Sequence, residues 1–254
     1  MTHILLTGAN SFIGPHVLKH LIAAGYKVTA VGRRPPTNTT NTSNYITIDL
    51  NQKQSFAQLP KDVNAIIHLA AQLPTPGTTI SQLVANNILA TRNTIAYAIR
   101  SGATRLIYAS TRSVYGQVST AIVDELTPIV DPSTYGLTKC AAELLLADES
   151  SVLPSLAIRL PGVLGPNAKR HRIPDIIESM LIGRTITIYN PDSPFNNVMH
   201  ADNIGTFICN LMTRSWKGFY AFPIAAANCL SVRAVAETLL LGLASKASIE
   251  VGPQ

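Results

Sequence analysis

Three observations predict an α/β fold for this chain, a doubly wound parallel sheet of Rossmann type with a small C-terminal substrate lobe. Short apolar runs alternate with longer amphipathic ones; a glycine-bearing turn, Gly8 to Gly14, follows the first run; and the alternation stops after Pro161. His3–Thr7 reads as the first strand and Ser11–Ala24 as the first helix, which Gly25 ends. Lys27–Val31, Tyr45–Ile48 and Ala65–Leu69 read as the next three strands, with Thr37–Asn44 a polar loop before the second of them. A long helix is expected across Ser81–Ser101, closed by Gly102, then a fifth strand at Arg105–Ala109. A helix carrying Tyr135 runs to about Asp148, and Leu156–Leu160 is the sixth strand. Prolines and polar residues then accumulate up to Pro194, with helical segments at Ile173–Leu181, Asn203–Met212 and Val232–Leu243. The expected division is a dinucleotide-binding core over 1–165 and a lobe over 166–254, interleaved with the last core elements.

With 254 residues and 46% hydrophobic side chains, the chain has material for one large domain, or one with a small appendage. Its apolar runs fall short of the roughly 18 residues of a membrane span. The N-terminus enters Ile4-Leu5-Leu6 directly, which reads as no signal peptide. Cys140, Cys209 and Cys229 are odd in number and lack metal-ligand spacing, so free thiols, a cytoplasmic setting and no metal are expected. The net charge of +6 comes without a long basic run or a nucleic-acid motif, and fits a phosphate-bearing small ligand.

The turn Thr7-Gly8-Ala9-Asn10-Ser11-Phe12-Ile13-Gly14 stands where a strand meets a helix; it is either a plain strand–helix turn or one whose free N–H groups are offered to a pyrophosphate, and its place after the first strand favours dinucleotide binding. Ser11 occupies the place of a middle glycine; it adds bulk near the phosphates, or donates its hydroxyl to one. The second strand ends Val31-Gly32-Arg33-Arg34, without the carboxylate that binds the ribose 2′-hydroxyl of NAD. Arginines there suit the 2′-phosphate of NADP, with NAD the alternative, or form a solvated basic turn before Pro35-Pro36. Asp49 either accepts from an adenine amino group or caps a turn.

Tyr135 and Lys139 lie four residues apart at the head of a helix, about 5–6 Å apart at Cβ on one face. A free tyrosine titrates at about 10, and an adjacent ammonium favours its phenolate. With the upstream turn, His68-Leu69-Ala70-Ala71, the Asn87-x-x-x-Thr91-x-Asn93 pattern, Ser110-Thr111-Arg112-Ser113-Val114-Tyr115-Gly116 and Gly165-Pro166 all in order, the chain resembles the extended short-chain dehydrogenase/reductases, the NAD(P)-dependent epimerase/dehydratase family. The resemblance covers the first 165 or so residues well and the rest more weakly.

The resemblance implies that Thr111, with Ser110 as alternative, holds a substrate oxygen beside Tyr135. Tyr135 then exchanges the hydroxyl proton as hydride moves to or from the nicotinamide, and Lys139 holds the nicotinamide ribose and tunes the tyrosine. It implies cofactor contacts from Gly8, Asn10, Ser11, Phe12, Ile13 and Gly14, from Arg33, Arg34, Asp49 and Leu50, and from Leu69, Ala70, Ala71, Asn87 and Pro161. Substrate contacts fall to Gln72, Arg112, Tyr115, Gly162 and Asn196. A sugar nucleotide is the implied substrate, and a homodimer through the long helix and the Tyr135 helix is the implied assembly.

The chain also departs from the pattern. Gly162 stands where an asparagine is usual, and Asn196 where the Arg-Asp-x-x-His-x-Asp stretch has its arginine, which weakens bidentate diphosphate recognition. Lys169, Arg170, His171 and Arg172 supply replacement charge or form an exposed loop. His200 and Asp202 persist and read as loop anchors. Arg112 and Ser113 replace the acid/base pair of dehydratases, leaving epimerisation or ketone reduction. The chain ends at Gln254, earlier than such relatives, so the pocket is more open or the chain truncated. The competing function is a dinucleotide-binding scaffold or redox sensor without turnover.

Overall fold

The computed structural model describes residues 1–35, 44–166, 168, 172–195, 198–227 and 230–253. Its elements are β1 His3–Thr7, α1 Gly14–Ala23, β2 Lys27–Gly32, β3 Tyr45–Thr47, a 3₁₀ segment Lys53–Gln58, β4 Ala65–His68, α2 Ile80–Val84, a π-helical turn Ala85–Leu89 and α3 Ala90–Arg100. There follow β5 Arg105–Thr111, α4 Thr134–Asp148, β6 Ser155–Leu160, β7 Gly162–Leu164, α5 Arg172–Leu181, β8 Ile186–Ile188, β9 Pro194–Phe195 and β10 Val198–His200. The chain closes with α6 Ala201–Leu211, β11 Phe219–Pro223, β12 Leu230–Ser231, α7 Val232–Gly242 and β13 Ile249–Val251.

One seven-stranded sheet in the order β11-β6-β5-β4-β1-β2-β3 carries the fold, and every pairing in it is parallel. The strand order reverses between β1 and β4, and in a doubly wound sheet the crevice at such a reversal receives the ligand. Because helices cover both faces, β1, β4 and β6 are buried at every position, which is why they read as continuous apolar runs rather than alternating ones. On one face Leu5, Ile66, Leu106 and Ala157 pack against Ile95 and Ala98 of α3 and Ala142 and Leu146 of α4. On the other face α1 pairs with α6.

The chain divides into two compact units: Met1–Leu160 with Ala201–Ile224, and Pro161–His200 with Ala225–Gln254. The first thus ends five residues before the boundary expected at 165 and takes back α6 and β11. The second has its own small core of Met180, Ile186, Ile188, Ala236 and Ala247, with the short pairs β10–β7, β12–β9 and β13–β8. Among the described residues no helix is long and apolar enough to cross a membrane.

Three elements differ from expectation. α1 starts at Gly14, because Ser11 holds the preceding turn: its N–H bonds the Gly8 carbonyl and its Oγ accepts from the Gly14 N–H at 3.1 Å. The long helix contains the π-helical turn, where the Ala90 N–H reaches back to the Ala85 carbonyl. β11 is an addition: after Gly218 and closing on Pro223, it is a partly exposed edge strand.

Candidate active site

The strand-to-helix turn is built for close backbone approach. Gly8 adopts φ +69°, and a Cβ there would lie 2.6 Å from the Ala70 nitrogen; a Cβ on Gly14 would lie 2.4 Å from the Gly8 and Ala9 carbonyl oxygens. Beyond the turn opens a cleft of about 620 Å³, lined by Gly8, Asn10, Ser11, Arg33, Arg34, Asp49, Leu50, Ala70 and Ala71, together with Asn86. Side chains excluded from the turn, Ser11 lining the cleft beside the helix start and two arginines at the mouth suit a dinucleotide, so the residues fit the expected cofactor.

The mouth is held from behind. The Asn10 Nδ2 and the Tyr45 hydroxyl both donate to the Arg34 carbonyl at 2.7 Å, fixing the backbone from which the two arginines extend. The Arg33 guanidinium donates to Asn86 Oδ1 at 3.2 Å, and Asn51 Nδ2 donates to the same oxygen. Asp49 both lines the cleft and caps a turn, since its Oδ1 accepts from the Asn51 N–H at 3.0 Å.

Tyr135 is half-buried at the head of α4, and Lys139, one turn on, is 1% exposed. Ser133 caps the helix by accepting from the Gly136 N–H. Gly136 lets α4 close on the turn after β5: a Cβ there would stand 2.2 Å from the Ser113 carbonyl oxygen. In that turn the Thr111 Oγ1 accepts from the Ser113 N–H at 3.2 Å and donates to the Ser113 hydroxyl. Thr111 and Tyr135 therefore belong to two segments in direct contact. Ser110 points elsewhere, since it is buried and its hydroxyl donates to Glu143 Oε1 on α4.

Beneath these groups lies a network of buried charges. Arg159 grips Glu143 with two bonds, Nε to Oε1 at 3.2 Å and a terminal nitrogen to Oε2 at 2.8 Å, both residues being buried. Its guanidinium also lies 4.7 Å from the Tyr115 ring centre. Lys139 Nζ lies over the Tyr108 ring, 4.0 Å from the centroid. Burial pulls the Lys139 ammonium down to about 7, against an opposing upward pull from Glu143.

His68 ties the phosphate turn to the catalytic helix. The Thr91 hydroxyl donates to the Asn87 carbonyl at 2.7 Å, so it accepts from His68 Nε2 at 3.0 Å; His68 Nδ1 then accepts from the Thr7 hydroxyl at 2.6 Å. Burial, with Lys139 adding to it, drives the imidazole down to about 3, so it is neutral at working pH. From Asn87 the chain of bonds continues through Nδ2 to Thr138 Oγ1 at 3.0 Å, and from Thr138 to the Tyr135 carbonyl at 2.8 Å.

Other expected residues fall elsewhere. Asn87 is buried with its carboxamide engaged by both backbone groups of Gln72 and by Thr138, so it braces the cleft wall instead of facing the cleft. Tyr115, expected at the substrate, is fully buried and donates to the Asp124 carbonyl at 2.7 Å; it supports the floor. Ile13 and Leu69 are buried, and neither they nor Phe12 and Gly14 line the cleft. Arg112 is exposed and Gln72 half-buried. Pro161 and Gly162 belong to the second unit. Asn196, Lys169, Arg170 and His171 lie outside the described residues, as does most of the Thr37–Asn44 stretch. Asp202 anchors α6 on α1, its Oδ1 lying within 3.4 Å of His16, Lys19 and His20, and those bonds, His16 first, hold its carboxyl down at about 2. Sequence reasoning missed Glu143, Arg159, Tyr108 and the bridging part of His68. The signal was available for the first two: a lone acid within Cys140–Ala147 and a lone arginine within Leu156–Leu160, opposite charges in otherwise apolar elements.

The parallel sheet, the glycine turn at its reversal with the cleft beyond it, and the Tyr–Lys pair on the helix closed against the Thr111 turn define a dinucleotide-binding α/β enzyme. The profile of the NAD dependent epimerase/dehydratase family matches residues 4–219, and the chain belongs to that family, an enzyme of the extended short-chain dehydrogenase/reductase type. It is 26% identical over 227 residues to a putative UDP-glucose 4-epimerase of Methanocaldococcus jannaschii, covering 84% of this chain and 74% of that one. It is 29% identical over 178 residues to a decarboxylating sterol-4-alpha-carboxylate 3-dehydrogenase of Dictyostelium discoideum, covering 65% of this chain and 54% of that one. Among solved structures, MoeE5 in complex with UDP-glucuronic acid and NAD superposes with a TM-score of 0.81 at 27% identity, over 98% of this chain and 85% of that one.

Proposed function

We propose that this chain modifies a nucleotide-linked sugar at a carbon bearing oxygen, by epimerisation or by ketone reduction, using a nicotinamide dinucleotide. The observation that carries the reading is the placement of Tyr135 and the buried Lys139 on a helix closed against the Thr111 turn. When bound, the dinucleotide supplies hydride exchange at its nicotinamide. Tyr135 gives or takes the proton of the substrate hydroxyl, Thr111 orients that oxygen, and Lys139 favours the phenolate. Gln72 and Arg112 are the substrate contacts within the first unit. The sugar-nucleotide class draws support from two relatives, a putative UDP-glucose 4-epimerase and MoeE5 with its bound UDP-glucuronic acid.

Arg33 and Arg34 at the cleft mouth, with no carboxylate at the end of β2, favour NADP over NAD and hence reduction. MoeE5, solved with NAD, keeps the other cofactor in play. Exposed Leu137 and Leu144 on α4 support a homodimer, and the free thiols of Cys140 and Cys209 support a reducing, cytoplasmic setting.

Native mass spectrometry of freshly purified protein tests the choice. Retained NAD marks an enzyme that oxidises and re-reduces within one turnover; weak, exchangeable binding with NADPH preferred marks a reductase. Tyr135→Phe is expected to lower turnover by about 10²- to 10⁴-fold while leaving dinucleotide binding intact. Unchanged behaviour of that variant sinks catalysis and leaves the scaffold reading.

A further inference from the structure

Lys139 is buried, and the carboxylate that pulls on its ammonium is already paired. Glu143, one turn further along α4, accepts from Arg159 through both oxygens and from Ser110, so most of its field is cancelled where it is held. What faces the ammonium instead is an aromatic ring: Nζ stands 4.0 Å from the centre of Tyr108, which is fully buried on β5. Against the same ring stacks His68, 5.5 Å between centres and 22° between planes. The bonds from Thr7 and to Thr91 lock that imidazole in its neutral form, so no second cation competes. The Tyr108 hydroxyl lies near Thr91, whose own proton goes to Asn87, and makes no hydrogen bond of normal geometry among the described residues. Its presence is therefore not explained by hydrogen bonding; the ring face is.

We propose that Tyr108 is a positioning residue, whose ring face holds the ammonium of Lys139 charged one helical turn from Tyr135 and so keeps the Tyr135 phenolate accessible near neutral pH. The inference rests on the reading of Tyr135 as the acid/base. A desolvated cation over a π face is attracted by the ring quadrupole, and this works against the burial that pulls Lys139 toward about 7. The other titratable groups around the pair are Tyr135, Cys140 and Glu143 on α4, His68 on β4 and Arg159 on β6; Tyr135 and Glu143 both push the Tyr108 hydroxyl upward, which places them close to it. None of them replaces the ring. Arg159 is tied to Glu143, His68 is neutral, and Tyr135 is the group being tuned.

The test replaces Tyr108 with Phe, with phenylalanines carrying one, two and three ring fluorines, and with Leu. Fluorination drains the π face while keeping the ring in place, so the series stays informative even where Leu fails to fold. Two quantities are read: the Lys139 titration by NMR of isotope-labelled lysine side chains, assigned against Lys139→Met, and the pH dependence of kcat. Tyr108→Phe is expected to leave both in place. Progressive fluorination, and Leu, are expected to lower the Lys139 midpoint by up to about one pH unit and to move the rising limb of kcat to higher pH by a similar amount. A Lys139 midpoint that ignores the fluorine series overturns the proposal, as does a Phe variant that shifts as far as Leu. A shifting midpoint in a protein that never turns over a sugar nucleotide supports the ring's hold on Lys139 and removes the catalytic reading instead.

Discussion

At the mouth of the cleft the charges are exposed. Arg33 and Arg34 reach from a backbone clamped by Asn10 and Tyr45, and Arg33 meets a neutral carboxamide, Asn86. Behind the catalytic helix the titratable groups are buried and interlocked: Lys139 on the Tyr108 ring, Glu143 between Ser110 and Arg159, and neutral His68 between two threonines. Exposed charge contributes little to folding, so changes at the mouth are expected to act on binding and leave stability nearly untouched. Buried charge is tolerable only when each member is satisfied, so the floor stands or falls as a unit.

The largest expected break concerns His68. Its folded pKa of about 3 lies below the unfolded value of about 6.5, so between those values the unfolded chain binds the extra proton. The neutral ring's contribution is full above about pH 6.5 and falls as pH drops toward 3, by about 4 to 5 kcal/mol in all. Urea unfolding at a series of pH values, with His68→Asn as reference, should show a steeper acid loss for the natural chain; parallel curves refute the neutral bridge. Next, Glu143→Gln should lower stability by about 3 to 5 kcal/mol by stranding Arg159, whereas Glu143→Leu combined with Arg159→Met should recover most of that. Equal losses from the single and double replacements would show that packing, and not pairing, dominates.

At the mouth the effects shrink and change kind. Replacing Arg33 and Arg34 together by Ala should weaken NADPH binding about 10- to 100-fold and leave NADH nearly unchanged, with little effect on unfolding. Calorimetric titration of both nucleotides checks it, and equal losses for the two would remove the 2′-phosphate from the account. Smallest is Ser11→Gly, which deletes the bond to the Gly14 N–H and should cost about 0.5 to 1 kcal/mol. A loss several times larger would mean that the serine shapes the whole turn.

The two regions are unequally legible in the sequence. The glycine turn, the arginines after β2 and the Tyr135–Lys139 spacing are local patterns, and local patterns survive in a linear reading. The Glu143–Arg159 pair spans a helix and a strand, and only the lone charges in apolar runs hint at it. The family resemblance implies ligand contacts for Asn87 and Tyr115, but their hydrogen bonds turn them inward, something residue type does not announce. The strands of the second unit are two or three residues long, below the length at which alternation is readable.

The π-helical turn at Ala85–Leu89 gives the long helix two settings, as a vernier has two scales. At its start, Asn86 faces Arg33 and Asn51; after it, Thr91 meets His68 and Asn93 reaches the Leu50 carbonyl. A single added residue keeps both settings in phase, and removing it would swing the upstream half by about 100° relative to the downstream half. Exchange of side chains along this helix should therefore be better tolerated than any change in its length, and a one-residue gap at this point in a related sequence marks a mouth and a floor that no longer keep step.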